Sequence, residues 1–315
     1  MTLIKLRNTS GQLGPLARSD ERFAFRIVGA VVAFNLTVII LPMIYAVWIS
    51  FYDSDVILRT NDFVGLNHYR AVLSDSNSLA AIVRSFKFTL VAGVGSVLLG
   101  LFLALTLNEE FPGVRVMRSL ILLPWAVSEV VSATCWIFMT SPTFGALTGL
   151  FYRLGFVDEN HQWIDENTAL YWVAVAFVWH FAPLGAFFLL AVLQTVPSNL
   201  YNAASIDRAN LLNRFLHVTL PHIHSTMMVV LLVVTVEAFR NFDIMFALTH
   251  GGPGVASQTL PYLIFRYSFE FSRYGLASAA AGVMVIIGMA FTIVYYFTLS
   301  RRRMLVHIMQ ASESV

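Results

Sequence analysis

Five polar side chains sit inside runs that are otherwise apolar. Glu129 interrupts Met117 to Thr140, and Glu237, Arg240, Asn241 and Asp243 fall together within His222 to Leu248. A charged group at mid-bilayer costs about 2.5–3.5 kcal/mol on insertion scales, so such groups face a cavity or a partner. At about 100° per residue, Glu237, Arg240 and Asn241 share one helical face and Asp243 lies beside Arg240. Phe239, Phe242 and Phe246 take the opposite face. Carboxylates, amides and guanidinium groups are the chemistry that grips a hydroxyl-rich solute, and a flat aromatic ring stacks on it. Trp179, midway through Leu170 to Thr195, supplies such a ring. The substrate-binding candidates are therefore Glu129, Glu237, Arg240, Asn241, Asp243 and Trp179. A second reading stays open, in which Glu237 or Asp243 pairs with Arg240 to lock helices and Trp179 packs on a neighbour. His180 and His222 read as satisfied polar residues, and Trp125 and Trp136 as anchors near helix ends.

The elements that hold these residues must be membrane helices. The 315-residue chain is 57% hydrophobic and 12% charged, with mean hydropathy +0.72. That balance lies outside the range of ordinary soluble domains. Six stretches reach the roughly 20 apolar residues of a spanning helix: 25–51, 82–107, 117–140, 170–195, 222–248 and 276–299. The expected fold is thus an all-α membrane protein of six transmembrane helices, a spanning domain over 25–300 between tails 1–24 and 301–315. The first stretch is too long for a signal-peptide core and is expected to be retained. Lys5, Arg7, Arg18, Arg22 and Arg26, Arg115 and Arg118, Arg208 and Arg214, and Arg301 to Arg303 all fall on one side. By the positive-inside rule that side, with both termini, is cytoplasmic. The lone Cys135 allows neither a disulfide nor a cysteine metal cluster.

Between the fourth and fifth runs lies a polar segment, Leu200 to Pro221, that cannot cross a bilayer. Asp207, Arg208, Asn213, Arg214 and His217 would all need desolvating. Apolar residues recur at Leu211, Leu212, Phe215 and Leu216 at helical spacing, with Ser198 as the expected N-cap and Pro221 as the stop. The segment reads as a helical elbow on the cytoplasmic surface. On the outer side, Phe63-Val64-Gly65-Leu66-Asn67-His68-Tyr69 follows the first run. Ser141 to Gly155 reads as a turn-rich return. Thr249-His250-Gly251-Gly252-Pro253-Gly254 follows the fifth run and imposes tight turns. Thr259 to Tyr274 has the mixed aromatic and charged composition of a helix lying in the outer interface.

The elbow resembles the EAA loop of the permease subunits of ATP-binding cassette importers. Ala203, Ala204, Asp207, Ala209, Phe215, Leu220 and Pro221 match that pattern, while Asn202 replaces its Glu, Arg208 its Gly and Val218 its Ile. The 63–69 stretch is similar to the FVGLxNY signature, and the 249–254 run to the TGGGP loop, of the carbohydrate-uptake branch. His250 stands there where Gly is usual.

The resemblance implies a cytoplasmic EAA-type coupling helix between helices 4 and 5, with Asn202, Ala203, Ala204, Asp207, Arg208, Leu220 and Pro221 contacting an ATPase. It also implies that Gly251, Gly252 and Pro253 meet an extracytoplasmic solute-binding protein. The expected partners are a second, homologous permease subunit, two ATP-binding cassette subunits that bind ATP and Mg, and the lipid bilayer of the bacterial inner membrane. No nucleic acid is implied. The chain has no phosphate-binding G-x-x-x-x-G-K-[ST] and no catalytic constellation, so it is expected to be a transport subunit without a cofactor of its own. The implied activity is import of a sugar or sugar-like solute by alternating access. The alternative is a proton- or sodium-coupled secondary transporter with Glu129 and Glu237 as relay. Inverted repeats and helices interrupted at mid-membrane would favour it, and neither is evident in the sequence.

Overall fold

The computed structural model describes residues 15–55 and 60–313. Lys5 and Arg7, used above for orientation, lie outside them. Among the described residues, five helices are long and apolar enough to cross a membrane, or six if one sharply bent pair counts as a single span.

The first span, Phe23–Ile49, joins α1 (Pro15–Asn35) to α2 (Leu41–Ile49) through a π-helical turn, Leu36–Ile40. Proline lacks an N–H and clashes with the carbonyl four residues back. Widening the turn just before Pro42 absorbs both defects without ending the helix. Asn35 donates to Val31 O at 2.8 Å and Thr37 to Ala33 O at 2.9 Å, so these two polar side chains are satisfied by the span's own backbone.

Strands β1 (Tyr52–Asp55) and β2 (Thr60–Phe63) form an antiparallel hairpin leading to α3 (Asn67–Ser74). Here the 63–69 motif finds its structural role. Val64 N donates to Phe51 O at 2.8 Å, Tyr69 shares a hydrogen bond of 2.9 Å with Ser50, and His68 Nε2 lies 3.1 Å from Tyr52 O. The His68 and Tyr69 rings pack where Gly275 and Gly282 of the last helix carry no side chain. The motif therefore staples the first span to the last.

Three elements form the centre: α4 (Ser76–Asn108), α9 (Ala169–Leu193) and, farther along the chain, α12 (Leu220–Arg240). Helices in lipid associate through close packing of small residues, and α4 and α9 do so. A Cβ on Gly100 would stand 3.0 Å from Ala182 O and 3.1 Å from Ala186 N. Above this seam, Phe88, Phe177 and Phe181 are buried, the last two stacked at 4.3 Å.

The third span is not one helix. It comprises α5 (Val114–Leu120), α6 (Leu123–Ala126) and α7 (Glu129–Thr140), with a 98° bend before α7. Pro124 stands in the first turn of α6, Val127 is extended, and Ser128 caps α7 by accepting from Val131 N at 3.3 Å. The expected continuous helix 117–140 is corrected accordingly. Beyond α7, the predicted turn-rich return contains a helix, α8 (Ala146–Arg153), fixed to the following loop where Trp163 donates to Thr148 at 2.8 Å. Trp136, expected as an anchor, is buried beside Trp172 and Trp179.

The fifth span departs from expectation at both ends. After α10 (Ser198–Ile206) the chain turns and restarts as α11 (Leu211–Arg214), a π-helical turn Phe215–Thr219, and α12. Ser198 is the first helical residue and Pro197 holds the N-cap position. Pro221 closes nothing, because the π-turn ahead of it plays the part seen at Pro42. The spanning helix is Leu211–Arg240, and α13 (Asp243–Thr249) is separate from it. The predicted interfacial helix is α14 (Leu260–Phe265) plus a π-turn, Arg266–Glu270. Leu260 to Leu263 are buried, so its first turn packs inward. The last helix, α15 (Tyr274–Glu313), contains the final span Tyr274–Tyr295.

Candidate functional site

Two interrupted spans meet at their breaks. The bend before α7 places Glu129 in the first turn of that helix rather than at the middle of a continuous one. The break after α12 leaves Glu237 and Arg240 in its last turn, Asn241 in extended backbone and Asp243 in the first turn of α13. Helices α7 and α13 pack together, and the Asn241 amide Nδ2 donates to Glu129 Oε2. Asn241 is 5% exposed, and its Oδ1 is buried without a hydrogen-bond partner among the described residues. Arg240 directs Nε (2.8 Å) and Nη2 (2.5 Å) to one oxygen of Glu237. The electrostatic neighbours of Glu129 are Asp243, Glu237 and Arg240. Five of the six sequence-derived binding candidates thus gather at one place.

Trp179 stands apart from these polar contacts. Its ring meets Trp136 edge-on at 6.3 Å and lies against the central core. The adjacent His180 is hydrogen-bonded to Ser132 of α7 at 2.8 Å, so α9 holds α7 in place from behind. That pairing satisfies His180, as the sequence reading expected.

At the other end of the molecule the elbow makes a tight turn. Arg208 adopts φ +52°, the left-handed region that favours glycine. The chain thus turns at the position where the resembled pattern has glycine, with an arginine holding the left-handed conformation. Asn210 then caps α11 by accepting from Asn213 N at 2.8 Å, and Arg214 Nε donates to Ala209 O at 3.0 Å. Asn202, Ala203, Asp207 and Pro221 are exposed, with Ala204 and Leu220 half-buried. Ile206 is 82% and Leu211 84% exposed, two large apolar side chains flanking the turn.

The 249–254 loop divides into an inner and an outer part. Gly251 is buried at φ +73°, and a Cβ there would stand 2.7 Å from Cδ1 of Tyr262. Ser257 ties the loop back through Thr249 at 2.7 Å and Gly252 O at 2.9 Å. Gly252 is half-buried, and Pro253 and Gly254 form the exposed tip. One cavity escaped the sequence reading. About 500 Å³ in volume, it lies between Leu107, Arg118, Leu122 and the α9 residues Ala186, Phe187 and Leu190. Its residues come from separate apolar runs, Ser119 and Gln194 add polar groups, and Arg118 is spent on Leu107 O at 2.8 Å.

Such a predominantly helical, multi-span architecture defines a polytopic membrane protein. Residues 96–304 match the family described as the binding-protein-dependent transport system inner membrane component. The trehalose/maltose transport system permease protein MalF of Thermococcus litoralis is 34% identical over 277 residues, 88% of this chain and 93% of that one. The sn-glycerol-3-phosphate transport system permease protein UgpA of Yersinia pestis is 32% identical over 259 residues, 82% and 87%. The sulfoquinovosyl glycerol transport system permease protein SmoG of Agrobacterium fabrum is 31% identical over 260 residues, 82% and 84%. A chain of a bacterial ABC transporter that imports alginate shares the fold, with TM-score 0.78 at 18% identity over 91% of this chain and 99% of that one. The chain belongs to the family of binding-protein-dependent inner membrane permeases. It is a multi-pass, non-catalytic subunit of an ABC importer, and ATP is hydrolysed by partner ATPases. Interrupted helices, expected to favour a gradient-driven carrier, are present here within an ATP-driven family.

Proposed function

We propose that this chain moves a sugar or sugar-like solute across the inner membrane by alternating access, as one of two homologous permease halves. The reading rests on the junction of α7 and α13, where Glu129, Asn241, Glu237, Arg240 and Asp243 converge although they are distant in sequence. Relatives that handle trehalose/maltose, sn-glycerol-3-phosphate and sulfoquinovosyl glycerol supply the solute class. Trp179 supports the site from the aromatic layer behind α7.

Both termini face the cytoplasm in this reading, with 1–24 and 301–315 flanking the spanning domain. The α10 elbow docks on one of two ATPase subunits through Asn202, Ala203, Ala204, Asp207 and Arg208, with Leu220 and Pro221 carrying the motion into α12. Exposed Ile206 and Leu211 favour this, because two bare apolar side chains beside a polar turn suit a protein cleft. Pro253 at the loop tip meets the solute-binding protein, and Gly251 and Gly252 shape the turn beneath it. A solved relative, the alginate transporter, has been seen in complex with its periplasmic protein.

The test is reconstitution of the chain with its partner permease and ATPases in proteoliposomes. Ile206→Asp together with Leu211→Asp should abolish binding-protein-stimulated hydrolysis and uptake while leaving the permease pair folded. Full stimulation in that variant refutes α10 as the coupling element.

A further inference from the structure

We propose that the cavity between α4, α5 and α9 holds one phospholipid of the bilayer, with its phosphodiester on Arg118 and an acyl chain in the slot beyond. The cavity shares no lining residue with the junction of α7 and α13, so the inference stands whatever solute the transporter moves.

The lining is ordered by depth. Helix α9 ends at Leu193 with Gln194 as its C-cap, and α10 begins at Ser198, so Gln194 marks the end of the span on the elbow side. Leu107 stands in the last turn of α4, which ends at Asn108. Arg118 lies at the same level, because it donates to Leu107 O. From Gln194 the wall runs back along α9 through Ala191, Leu190 and Phe187 to Ala186. At 1.5 Å per residue that is about 12 Å deeper, and all four of those side chains are apolar. The polar groups therefore gather at the mouth. A polar mouth over an apolar slot, at the ends of two spanning helices, matches a lipid with its headgroup at the boundary and its chain toward the bilayer centre. A sugar would need hydrogen-bonding side chains along the whole wall, and α9 supplies none to it below Gln194.

Charge selects the headgroup. The lining carries one cation, Arg118, and no acid. Of the five N–H donors of a guanidinium, one on Nε and one on Nη2 go to Leu107 O, at 3.1 and 2.8 Å. That pair of bonds fixes the plane of the group and leaves its other donors uncommitted. No carboxylate lies within ion-pair distance of Arg118 among the described residues. A held guanidinium with free N–H groups suits the paired oxygens of a phosphodiester, and basic pockets at the ends of spanning helices take anionic lipid headgroups. Phe187 is 55% exposed, so the slot opens sideways, as entry of a chain from the bilayer requires.

The experiment uses the whole transporter, with its partner permease and ATPases, in detergent micelles doped with phosphatidylglycerol or phosphatidylcholine. Phe187 is replaced by its photoreactive benzophenone analogue, and mass spectrometry identifies what it crosslinks. Phosphatidylglycerol should be captured in preference to phosphatidylcholine, since a choline head sets a second cation beside Arg118. Excess inorganic phosphate should not compete. Arg118→Gln should lower capture about tenfold or more, the weight of one charge-assisted bond, and Arg118→Lys should restore most of it. Ala191→Trp fills the slot and leaves the bond to Leu107 intact, so it should abolish capture while melting close to wild type. Crosslinks to the second permease or to another protein chain in place of lipid overturn the proposal. So does equal capture of the two lipids, or capture undiminished in Arg118→Gln or Ala191→Trp. Displacement by inorganic phosphate overturns it too, because the site would then hold a free anion and no acyl chain.

Discussion

Asn241 and Glu129 are 112 positions apart in the chain, yet the amide of one donates to the carboxylate of the other where two spans are interrupted. Each break alone would leave backbone and side-chain polar groups stranded in an apolar layer. Meeting, the two breaks satisfy one another in part and tie α7 to α13.

This bond should separate stability from transport. Asn241→Leu leaves the half-buried Glu129 without its donor, a loss of about 1.5–3 kcal/mol for a bond to a charged group. Glu129→Gln keeps an acceptor for Asn241 and should melt close to wild type while uptake falls. Thermal unfolding of the purified transporter, measured beside vesicle uptake, checks both. A Glu129→Gln complex with normal uptake would remove Glu129 from the path.

Arg208 holds a left-handed conformation at φ +52°, which costs a non-glycine residue about 1–2 kcal/mol. Arg208→Gly should therefore stabilise the isolated permease by roughly 1 kcal/mol, and Arg208→Val should destabilise it. A chemical-denaturation series resolves the sign. If Arg208→Gly lowers stability, the guanidinium makes contacts that outweigh the backbone strain.

Gly251 and Pro253 are neighbours with opposite sensitivities. A side chain at Gly251 meets both a positive φ and the Tyr262 ring, so Gly251→Val should cost about 3 kcal/mol or more and lower the yield of folded protein. Pro253→Ala, at the exposed tip, should change stability by less than about 0.5 kcal/mol. Expression and melting separate the two, and stimulation by loaded binding protein measured for Pro253→Ala tests the docking role.

Asp75 caps α4, accepting from Ser78 N and Ser78 Oγ, each at 2.8 Å. The Ser78 N–H and then its hydroxyl hold this carboxyl below its ordinary range. A depressed folded-state value means the stabilisation is complete above the unfolded value and is lost as pH falls through the folded one. Stability should thus decline on acidification below about pH 4 in wild type. The decline should be shallower in Asp75→Asn, which keeps a neutral cap. Asp75→Ala should cost about 1 kcal/mol at neutral pH, read from denaturant midpoints.

Much of this was legible in the sequence because membrane helices announce themselves by length and apolarity. The elbow and the two outer motifs were legible for the same reason, being polar where neighbours are not. The breaks were harder to see. Val127-Ser128-Glu129 and Asn241-Phe242-Asp243 interrupt hydropathy too briefly to register in a span-length window. Both nevertheless carry cap-forming residue types, Ser128 ahead of Glu129 and Asn241 ahead of Asp243, which a search for helix starts inside apolar runs would have found. Pro221 is no stop because the widened turn at Phe215–Thr219 leaves room for its ring and needs no N–H from it. The position of Trp179 depended on a neighbouring helix that no local pattern specifies.

That widened turn has a further consequence for how the elbow addresses the span. A π-turn holds one residue more than regular winding, so everything beyond it is rotated by about 100° relative to a wheel drawn from Leu211. The azimuth of Glu237 and Arg240 is therefore set by a supernumerary residue near the opposite end of the same helix. Deleting one residue within Phe215–Thr219 would swing the polar edge of α12 by about a quarter turn while leaving its composition almost untouched. The five-residue turn works as a phase setting between the exposed turn at Arg208 and the polar side chains at the far end of α12.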